Sequence, residues 1–328
     1  MPDCFLEDSF GRHIDYLRIS VTDRCNFRCV YCMPPGGIPF LPRSNILTFE
    51  EITRVARIFL QMGGKKLRIT GGEPLLRKNI VALVENLSRL EGLKSLGLTT
   101  NGFYLKTWAA SLKKAGLKQV NISLDSLSPS RFSSLTDCSQ FEKVWEGIEE
   151  ALSIGLQTKI NVVALKGLSE KEILTFGRMA LNLPVEIRFI EFMPLCGTGW
   201  HPEWVLKIKE VRDILKKNFE LSPLLRRTEV AETFQMKEGK GRICFIASMT
   251  EPFCENCSRL RLTSDGKLRP CLFSNEEINL KPWLQEESSD AFIIAKIKEA
   301  VRKKPEGHSC GGGIQNPLEL PKIRLSGG

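Results

Sequence analysis

The segment YLRISVTDRCNFRCVYC at residues 16–32 determines how the rest of the chain is interpreted, because a short β-branched run leads directly into a loop with three cysteines. Five more strand-like runs follow, separated by stretches with helical spacing of apolar residues: KLRIT at 66–70, SLGLTT at 95–100, QVNISL at 119–124, KINVVA at 159–164 and VEIRFI at 185–190. Strands that alternate with helices predict a parallel sheet covered by helices.

The first helix has a clear start and a clear end. Thr48 and Glu51 form a capping-box pattern, and Gly63 and Gly64 stop the helix. A closed barrel of this type needs about eight strand–helix repeats, and six can be recognised in this sequence. We therefore expect an α/β fold, an incomplete six-fold (β/α) TIM-like barrel over residues 1–220, with its site at the carboxyl ends of the strands.

The pattern changes after residue 220. EGKG at 238–241 and SDGK at 264–267 lie between strand-like runs and predict hairpins, so we expect a smaller C-terminal β-containing domain over residues 221–328. The last stretch, GHSCGGGIQNPLELPKIRLSGG at 307–328, has no periodicity and is interpreted as a mobile tail.

Composition narrows the function classes. The 328 residues are 42% hydrophobic and 26% charged, no apolar run reaches bilayer length, and residues 1–15 have no targeting pattern, so we expect a cytoplasmic protein. A net charge of +9 suits an anionic partner. The lysine pairs at 113–114, 216–217 and 303–304 are interpreted as solvated helix faces.

Eleven cysteines in a reducing compartment favour metal or redox chemistry over disulfides. Cys25, Cys29 and Cys32 form CxxxCxxC on one loop directly after the first strand. Three thiolates on a four-iron cluster leave one iron free for a ligand. The alternative is a zinc loop, but structural zinc usually takes four ligands and no histidine lies in this loop.

CxxxCxxC with an aromatic residue before its last cysteine resembles the radical S-adenosylmethionine superfamily signature, and GGEP at 71–74 follows the second strand as in that family. The resemblance implies that the open iron binds S-adenosylmethionine and that the reduced cluster releases a 5′-deoxyadenosyl radical. It also implies four contacts with this cofactor: Gly72, Ser123, Met193 and the backbone of Tyr31.

A second cysteine group consists of Cys254, Cys257 and Cys271. A turn at Asp265 and Gly266 folds the chain back, so that Cys271 returns toward Cys257. Three thiolates again favour a 4Fe-4S cluster with one free iron, whereas a zinc ribbon would need two CxxC pairs.

This order of motifs, from about residue 11 to 328, resembles the GTP 3′,8-cyclase family of molybdenum cofactor biosynthesis. The resemblance implies that the radical removes the C3′ hydrogen of GTP, that C3′ attacks guanine C8 to give (8S)-3′,8-cyclo-7,8-dihydroguanosine 5′-triphosphate, and that the second cluster binds the guanine end. It further implies an electron donor of unknown identity and a downstream cyclic pyranopterin monophosphate synthase. We expect a monomer or homodimer, with neither nucleic acid nor membrane as a partner.

The family resemblance also assigns the substrate-contacting side chains, which we expect to gather near the strand ends. The GTP contacts are Arg18, Arg68, Thr99, Lys159, Arg259 and Arg261. The positions implied to serve catalysis are Arg259, Arg261 and the terminal Gly327 and Gly328, although the KIRLS segment before these glycines departs from the family pattern.

Two other functions remain open from the residues alone. One is a radical enzyme with an auxiliary cluster that acts on another substrate, such as a peptide. The other is a basic zinc-binding nucleic-acid protein, which would interleave aromatic and basic residues on a sheet face. The remaining cysteines have no metal spacing and are interpreted as buried or free thiols: Cys4, Cys138, Cys196, Cys244 and Cys310.

Overall fold

The computed structural model describes residues 5–34, 36–37, 39–195, 200–224, 231–286 and 288–307. Its strands are β1 (Tyr16–Ser20), β2 (Lys66–Thr70), β3 (Ser95–Thr100), β4 (Gln119–Ser123), β5 (Gln157–Ala164), β6 (Val185–Glu191), β7 (Leu221–Pro223), β8 (Glu232–Met236), β9 (Arg242–Ile246), β10 (Arg259–Leu262), β11 (Lys267–Arg269) and β12 (Ile278–Asn279). Its helices are α1 (Phe49–Gln61), α2 (Ile80–Ser88), α3 (Leu105–Lys114), α4 (Pro129–Thr136), α5 (Phe141–Ser153), α6 (Glu170–Asn182), α7 (Ile208–Asn218), α8 (Lys281–Gln285) and α9 (Asp290–Arg302).

The strands form one open sheet in the order β12-β11-β10-β1-β2-β3-β4-β5-β6-β9-β8-β7. Strands β1 to β6 are parallel neighbours in chain order, which confirms the incomplete six-fold (β/α) barrel. The predicted capping box is also present, since the Thr48 hydroxyl accepts from Glu51 N at 3.2 Å and the Glu51 carboxylate accepts from Thr48 N at 2.7 Å. Local sequence signals therefore position the helix that connects the first two strands.

The chain after residue 220 extends this same sheet at both edges. Strand β9 joins β6 and β10 joins β1, both in parallel, and the two predicted hairpins bring β8 and β11 alongside them antiparallel. The loop between β9 and β10, which carries Cys254 and Cys257, crosses from one side of the open barrel to the other. The division into domains at residue 220 stays a prediction.

Residues along the strands alternate between two environments. Leu17, Ile19, Leu67 and Ile69 are buried in the hydrophobic core together with residues of α1. The residues between them, such as Arg18, face the space enclosed by the barrel, which we call the lumen. A barrel interior is ordinarily filled by layers of apolar side chains; here it is polar, so it provides room for a site.

None of the helices within the described ranges has both the length and the apolar character needed to cross a membrane.

Candidate active site

The first cysteine loop follows the carboxyl end of β1. Cys25, Cys29 and Cys32 are all half-buried, and Cys32 N donates to Cys29 O at 2.9 Å. Burial raises the pKa of Cys29 well above its usual value, and the nearby charges of Cys32, Asp125 and Cys25 raise it further. The three thiols thus lie within electrostatic reach of one another, and this donor set fits a 4Fe-4S cluster.

The GGEP turn after β2 packs directly against this loop. Gly72 N donates to Thr22 O and Glu73 N donates to Arg24 O, both at 2.7 Å. A Cβ atom on Gly72 would lie 2.2 Å from Arg24 O, so a side chain there would push the cysteine loop away. The glycine therefore permits close approach of two backbone segments, while its contact with S-adenosylmethionine stays a prediction.

Polar groups from the ends of β2 and β3 hold the loop in place. The fully buried Glu73 carboxylate accepts from Leu75 N at 2.9 Å, Thr100 Oγ1 at 2.8 Å and Asn101 N at 2.7 Å. Burial raises its pKa to about 7, although these hydrogen bonds oppose the shift. Asn101 Nδ2 lies 3.8 Å from Cys25 Sγ. The carboxyl ends of two strands are thereby connected to the first cysteine.

Three of the segments predicted to bind S-adenosylmethionine meet beside this loop. The Tyr31 hydroxyl donates to Asp125, two residues after Ser123, and the Tyr31 ring packs edge-on against Phe192, which precedes Met193, at a centroid distance of 6.4 Å. Asp125 also accepts from the backbone N–H of β5 at Val163, at 2.7 Å. Burial raises the pKa of Asp125 to about 6.

The second cysteine loop lies at the opposite, amino end of the strands. Tyr16 N, at the start of β1, donates to Ser258 O at 3.2 Å, which places Cys257 beside that end. The expectation that the site lies at the carboxyl ends of the strands is wrong for this second loop, because β10 runs parallel to β1 and Cys257 precedes it. Since β1 has five residues of about 3.3 Å each, the loops are separated along it by roughly 16 Å.

Cations surround the second loop. Burial alone would raise the pKa of Cys257, but the charges of Arg259 and Lys304 lower it to about 6. Arg259 and Lys304 also interact electrostatically with Cys271. Lys304 is only 3% exposed, so its interpretation as part of a solvated lysine pair is wrong. The half-buried Cys254, Cys257 and Cys271 therefore present a thiolate-compatible donor set, which fits a second cluster.

Basic side chains line the lumen next to the second loop. Arg261, Arg18 and Arg68 are aligned on the neighbouring strands β10, β1 and β2. Burial lowers the pKa of Arg18 to about 10, and burial together with the charges of Arg18 and Arg259 lowers the pKa of Arg261 well below its usual value. Protonating such crowded guanidinium groups costs free energy that a bound anion would recover. This wall of the lumen is therefore suited to a polyanion.

Tyr16 lies within the arginine group and was missed by the sequence analysis. Its hydroxyl accepts from Arg68 Nε, and its ring contacts the Arg68 guanidinium at 5.9 Å. Burial would raise its pKa, but the charges of Arg68 and Arg18 lower it to about 8. Its position two residues before Arg18 on the same strand is the signal that could have identified it.

Lys159 is on the same inward face, farther around the barrel. Its ammonium lies 3.2 Å from the Glu186 carboxylate, which also forms an ion pair with Arg188. Neither Glu186 nor Arg188 was predicted from the sequence. Lys159, Arg18 and Arg68 are each the third residue of their strands, so the expectation that these cations lie near strand ends is wrong. Inward-facing positions occur along a whole strand, and the basic groups therefore reach into the depth of the lumen.

Three buried polar atoms of the inward face have no hydrogen-bond partner within the part of the chain that the structure describes: Thr99 Oγ1, Asn121 Oδ1 and Asn161 Oδ1. Buried polar atoms in proteins are ordinarily hydrogen-bonded, so these positions are suited to a polar ligand. Thr99 is aligned with Asn121, and Asn121 with Lys159, across β3 to β5.

The other predictions concern isolated thiols and the tail. Cys244 is buried, which raises its pKa to about 12, and Cys138 is half-buried. Gly327, Gly328, Cys4, Cys196 and Cys310 lie outside the described residues. In the described ranges, no three His, Cys, Asp or Glu side chains are placed to hold a single metal ion; the thiolates of a four-iron cluster instead bind separate irons.

Comparison with known proteins agrees with this geometry. The Radical SAM superfamily model matches residues 19–180, and the Molybdenum Cofactor Synthesis C model matches residues 185–310. Streptococcus suis SuiB bound to S-adenosylmethionine shares the fold, with a TM-score of 0.58 and 15% identity over 95% of this chain and 77% of that one. The chain is thus a radical S-adenosylmethionine enzyme, a class that uses a 4Fe-4S cluster and S-adenosylmethionine.

Its relatives define the family more narrowly. The GTP 3′,8-cyclase of Thermodesulfovibrio yellowstonii is 45% identical over 308 residues, 93% of this chain and 96% of that one. Molybdenum cofactor biosynthesis protein 1 of Bos taurus is 44% identical over 324 residues, 98% of this chain but 51% of the bovine protein, so this chain spans about half of its length. The chain belongs to the GTP 3′,8-cyclase family.

Proposed function

We propose that this chain converts GTP to (8S)-3′,8-cyclo-7,8-dihydroguanosine 5′-triphosphate, the first step of molybdenum cofactor biosynthesis. The observation that supports this most is the placement of two three-cysteine loops at opposite ends of a lumen with an arginine-lined wall. The negative charge of a nucleoside triphosphate complements the positive charge of this wall, and such a molecule would extend between the loops.

The cysteines and their neighbours would hold two 4Fe-4S clusters. Cys25, Cys29 and Cys32 would hold the first, and Cys254, Cys257 and Cys271 the second. When bound and reduced by one electron, the first cluster would supply, from S-adenosylmethionine, a 5′-deoxyadenosyl radical able to remove the C3′ hydrogen atom of GTP.

Four positions beside the first loop would bind S-adenosylmethionine: Gly72, Ser123, Met193 and the backbone of Tyr31. The hydrogen bond from Tyr31 to Asp125 would keep the Tyr31 ring, and with it the local backbone, in one position.

The lumen side chains would bind and orient the substrate. Arg18, Arg68 and Arg261 present planar forks that suit phosphate oxygens, and Lys159 supplies a point charge farther along the wall. Arg259 and Arg261 also lie beside the second loop, so they would contact substrate close to the guanine end. Thr99, whose buried hydroxyl has no hydrogen-bond partner among the described residues, would donate to the same ligand.

The tail residues Gly327 and Gly328 would reach this site to assist cyclisation. The 21 residues from 308 to 328 can span up to about 70 Å when extended. Gly307 lies next to the second loop, since a Cβ built on it would be 3.9 Å from Cys254 Cβ. Deletion of both glycines tests this role, because unchanged product formation would exclude it.

Other properties belong to this proposal as well. The enzyme would act in the cytoplasm as a monomer or homodimer, take electrons from a separate donor, and pass its product to a cyclic pyranopterin monophosphate synthase.

The decisive experiment incubates anaerobically reconstituted protein with GTP, S-adenosylmethionine and a reductant, followed by mass spectrometry. We expect 5′-deoxyadenosine and an isomer of GTP. 5′-Deoxyadenosine without the isomer would point to a radical enzyme with another substrate. Absence of both products from protein shown to contain both clusters would contradict the proposed reaction.

A further inference from the structure

Two buried cations connect the second cysteine loop to the end of α9. Lys304 Nζ donates to Pro270 O at 2.6 Å and to Arg259 O at 2.8 Å. Pro270 immediately precedes Cys271, and Arg259 comes two residues after Cys257. One ammonium group thus joins the backbone beside two of the three cysteines, although these are 14 positions apart in sequence (271 minus 257).

Arg12 makes the equivalent connection for the remaining cysteine of this group, Cys254. Its guanidinium donates to Cys254 O at 2.8 Å and to the carbonyls of Pro305 at 2.6 Å and Glu306 at 2.8 Å. Asp8, whose side chain is fully buried, accepts from Arg12 Nε at 2.6 Å and fixes the orientation of the guanidinium. Planar guanidinium forks are well suited to hold several acceptors in a fixed arrangement.

All of these acceptors except Asp8 are backbone carbonyls close to a cysteine or in the segment that follows α9. A hydrogen bond between a charged donor and a buried carbonyl stabilises more than a neutral one. Removal of either donor would take charged hydrogen bonds away from partly or fully buried carbonyls and would free one cysteine segment to move relative to the others.

We propose that Lys304 and Arg12 are positioning residues for the second cluster: they hold the Cys254, Cys257 and Cys271 segments in the arrangement that lets three thiolates bind one cluster. This inference rests on the proposed second cluster. Partners outside the ligand shell orient the ligands of metal sites in general, and losing one typically weakens the site about 10- to 100-fold. Lys304 also adds a positive charge beside Cys257 and Cys271, which favours the reduced, more negative cluster.

Lys303 provides a matched control. It has the same charge and the neighbouring position, but its side chain is 45% exposed and pairs with Glu299 at 3.5 Å on the surface. Lys304→Met and Lys303→Met therefore remove the same charge from the protein, and only the first removes it from beside the cluster.

The test uses the full chain with Cys25, Cys29 and Cys32 all changed to Ala, so that iron reports on the second loop alone. After anaerobic reconstitution we would measure iron and sulfide, the rate of iron loss to a chelator, and the midpoint potential by redox titration followed by electron paramagnetic resonance. For Lys304→Met we expect iron loss about 10-fold faster and a lower midpoint potential. Lys303→Met should match the parent in both.

A second variant guards against a folding defect in the first. Asp8→Asn combined with Arg12→Gln removes both members of a buried charge pair and shortens the side chain at position 12. This variant should also accelerate iron loss while the far-ultraviolet circular dichroism of the apoprotein is unchanged. Equal iron loss and potential in Lys304→Met, Lys303→Met and the parent would overturn the inference while the second cluster stands. A parent without iron would overturn the second cluster itself, and this inference with it.

Discussion

The two cysteine loops differ in their electrostatic surroundings. Beside the first, burial, the other two thiols and Asp125 raise the pKa of Cys29. Beside the second, Arg259 and Lys304 lower the pKa of Cys257 to about 6. The first loop is anchored mainly by neutral and acidic groups, such as Asn101 and Glu73, whereas cations hold the second.

This difference indicates a division of labour between the ends of the lumen. A cationic environment favours thiolates and anionic ligands, and so would suit the end that we propose receives the substrate. Burial and neighbouring acidic groups, which raise the pKa of Cys29, disfavour extra negative charge and would suit the end where S-adenosylmethionine, itself a cation at sulfur, is cleaved.

Removing a cysteine from each loop is the strongest test of this division. We expect Cys29→Ala to abolish 5′-deoxyadenosine formation, because the first cluster is lost. Cys257→Ala should still cleave S-adenosylmethionine but form no GTP isomer. Both products are quantified by mass spectrometry, with Cys138→Ala as the control. Loss of both products in both variants would show that the loops do not have separate tasks.

Removing one lumen arginine should have the next largest effect. For Arg261→Met we expect GTP binding about 10- to 100-fold weaker, because a charge-assisted hydrogen bond is lost. The ligand-free protein should be equally or more heat-stable, because crowding with Arg18 and Arg259 is relieved. Equilibrium dialysis and thermal unfolding measure the two effects, with the exposed Arg302→Met as the control. Weaker binding together with a large loss of stability would instead indicate a structural role.

Thiol reactivity compares the two loops directly in the metal-free protein. At pH 7, with a pKa of about 6, Cys257 should be mainly thiolate, while Cys29 should be mainly thiol. Because a thiolate of lower pKa is also a weaker nucleophile, we expect Cys257 to be alkylated only about tenfold faster than Cys29. Iodoacetamide labelling followed by peptide mapping gives both rates, and denaturant should make them similar. Equal alkylation rates of Cys257 and Cys29 in the folded protein would contradict the predicted difference between the two loops.

The smallest expected effect is a pH dependence from Tyr16. Its pKa of about 8 means that the phenol is neutral below pH 8 and becomes a phenolate above it. A phenolate offsets one positive charge in the arginine group, so GTP affinity should fall as pH rises through 8, by less than about tenfold. Tyr16→Phe should bind GTP with little change between pH 7 and 9. The same decline in that variant would assign the titration to another group.

The barrel strands and the first cysteine loop were predictable because their signals are local. The six strands alternate inward and outward residues over short runs, and Cys25, Cys29 and Cys32 lie within eight positions. The first helix was equally accessible, because Thr48 and Glu51 cap it within one turn.

The amino-end site was not predictable in the same way. Tyr16 and Arg259 are aligned in the sheet although they are 243 positions apart (259 minus 16), and no short pattern reports such a pairing. Lys303 and Lys304 are adjacent and identical in type, yet only Lys304 is buried. Its partners are backbone carbonyls, which leave no mark on the sequence. Position in the fold, not residue type, made this lysine part of the site.

The order of strands in the sheet also has a consequence for synthesis of the protein. On the ribosome β1 emerges early, but its neighbour β10 is synthesised only about 240 residues later. Strand β9, the neighbour of β6, is likewise synthesised after β6 has emerged. Until then both edges of the nascent barrel expose unpaired backbone groups, which invite pairing with other chains. A chain ended at residue 220 would keep these edges permanently; its folding as a soluble monomer would support a domain boundary there, and aggregation would oppose it.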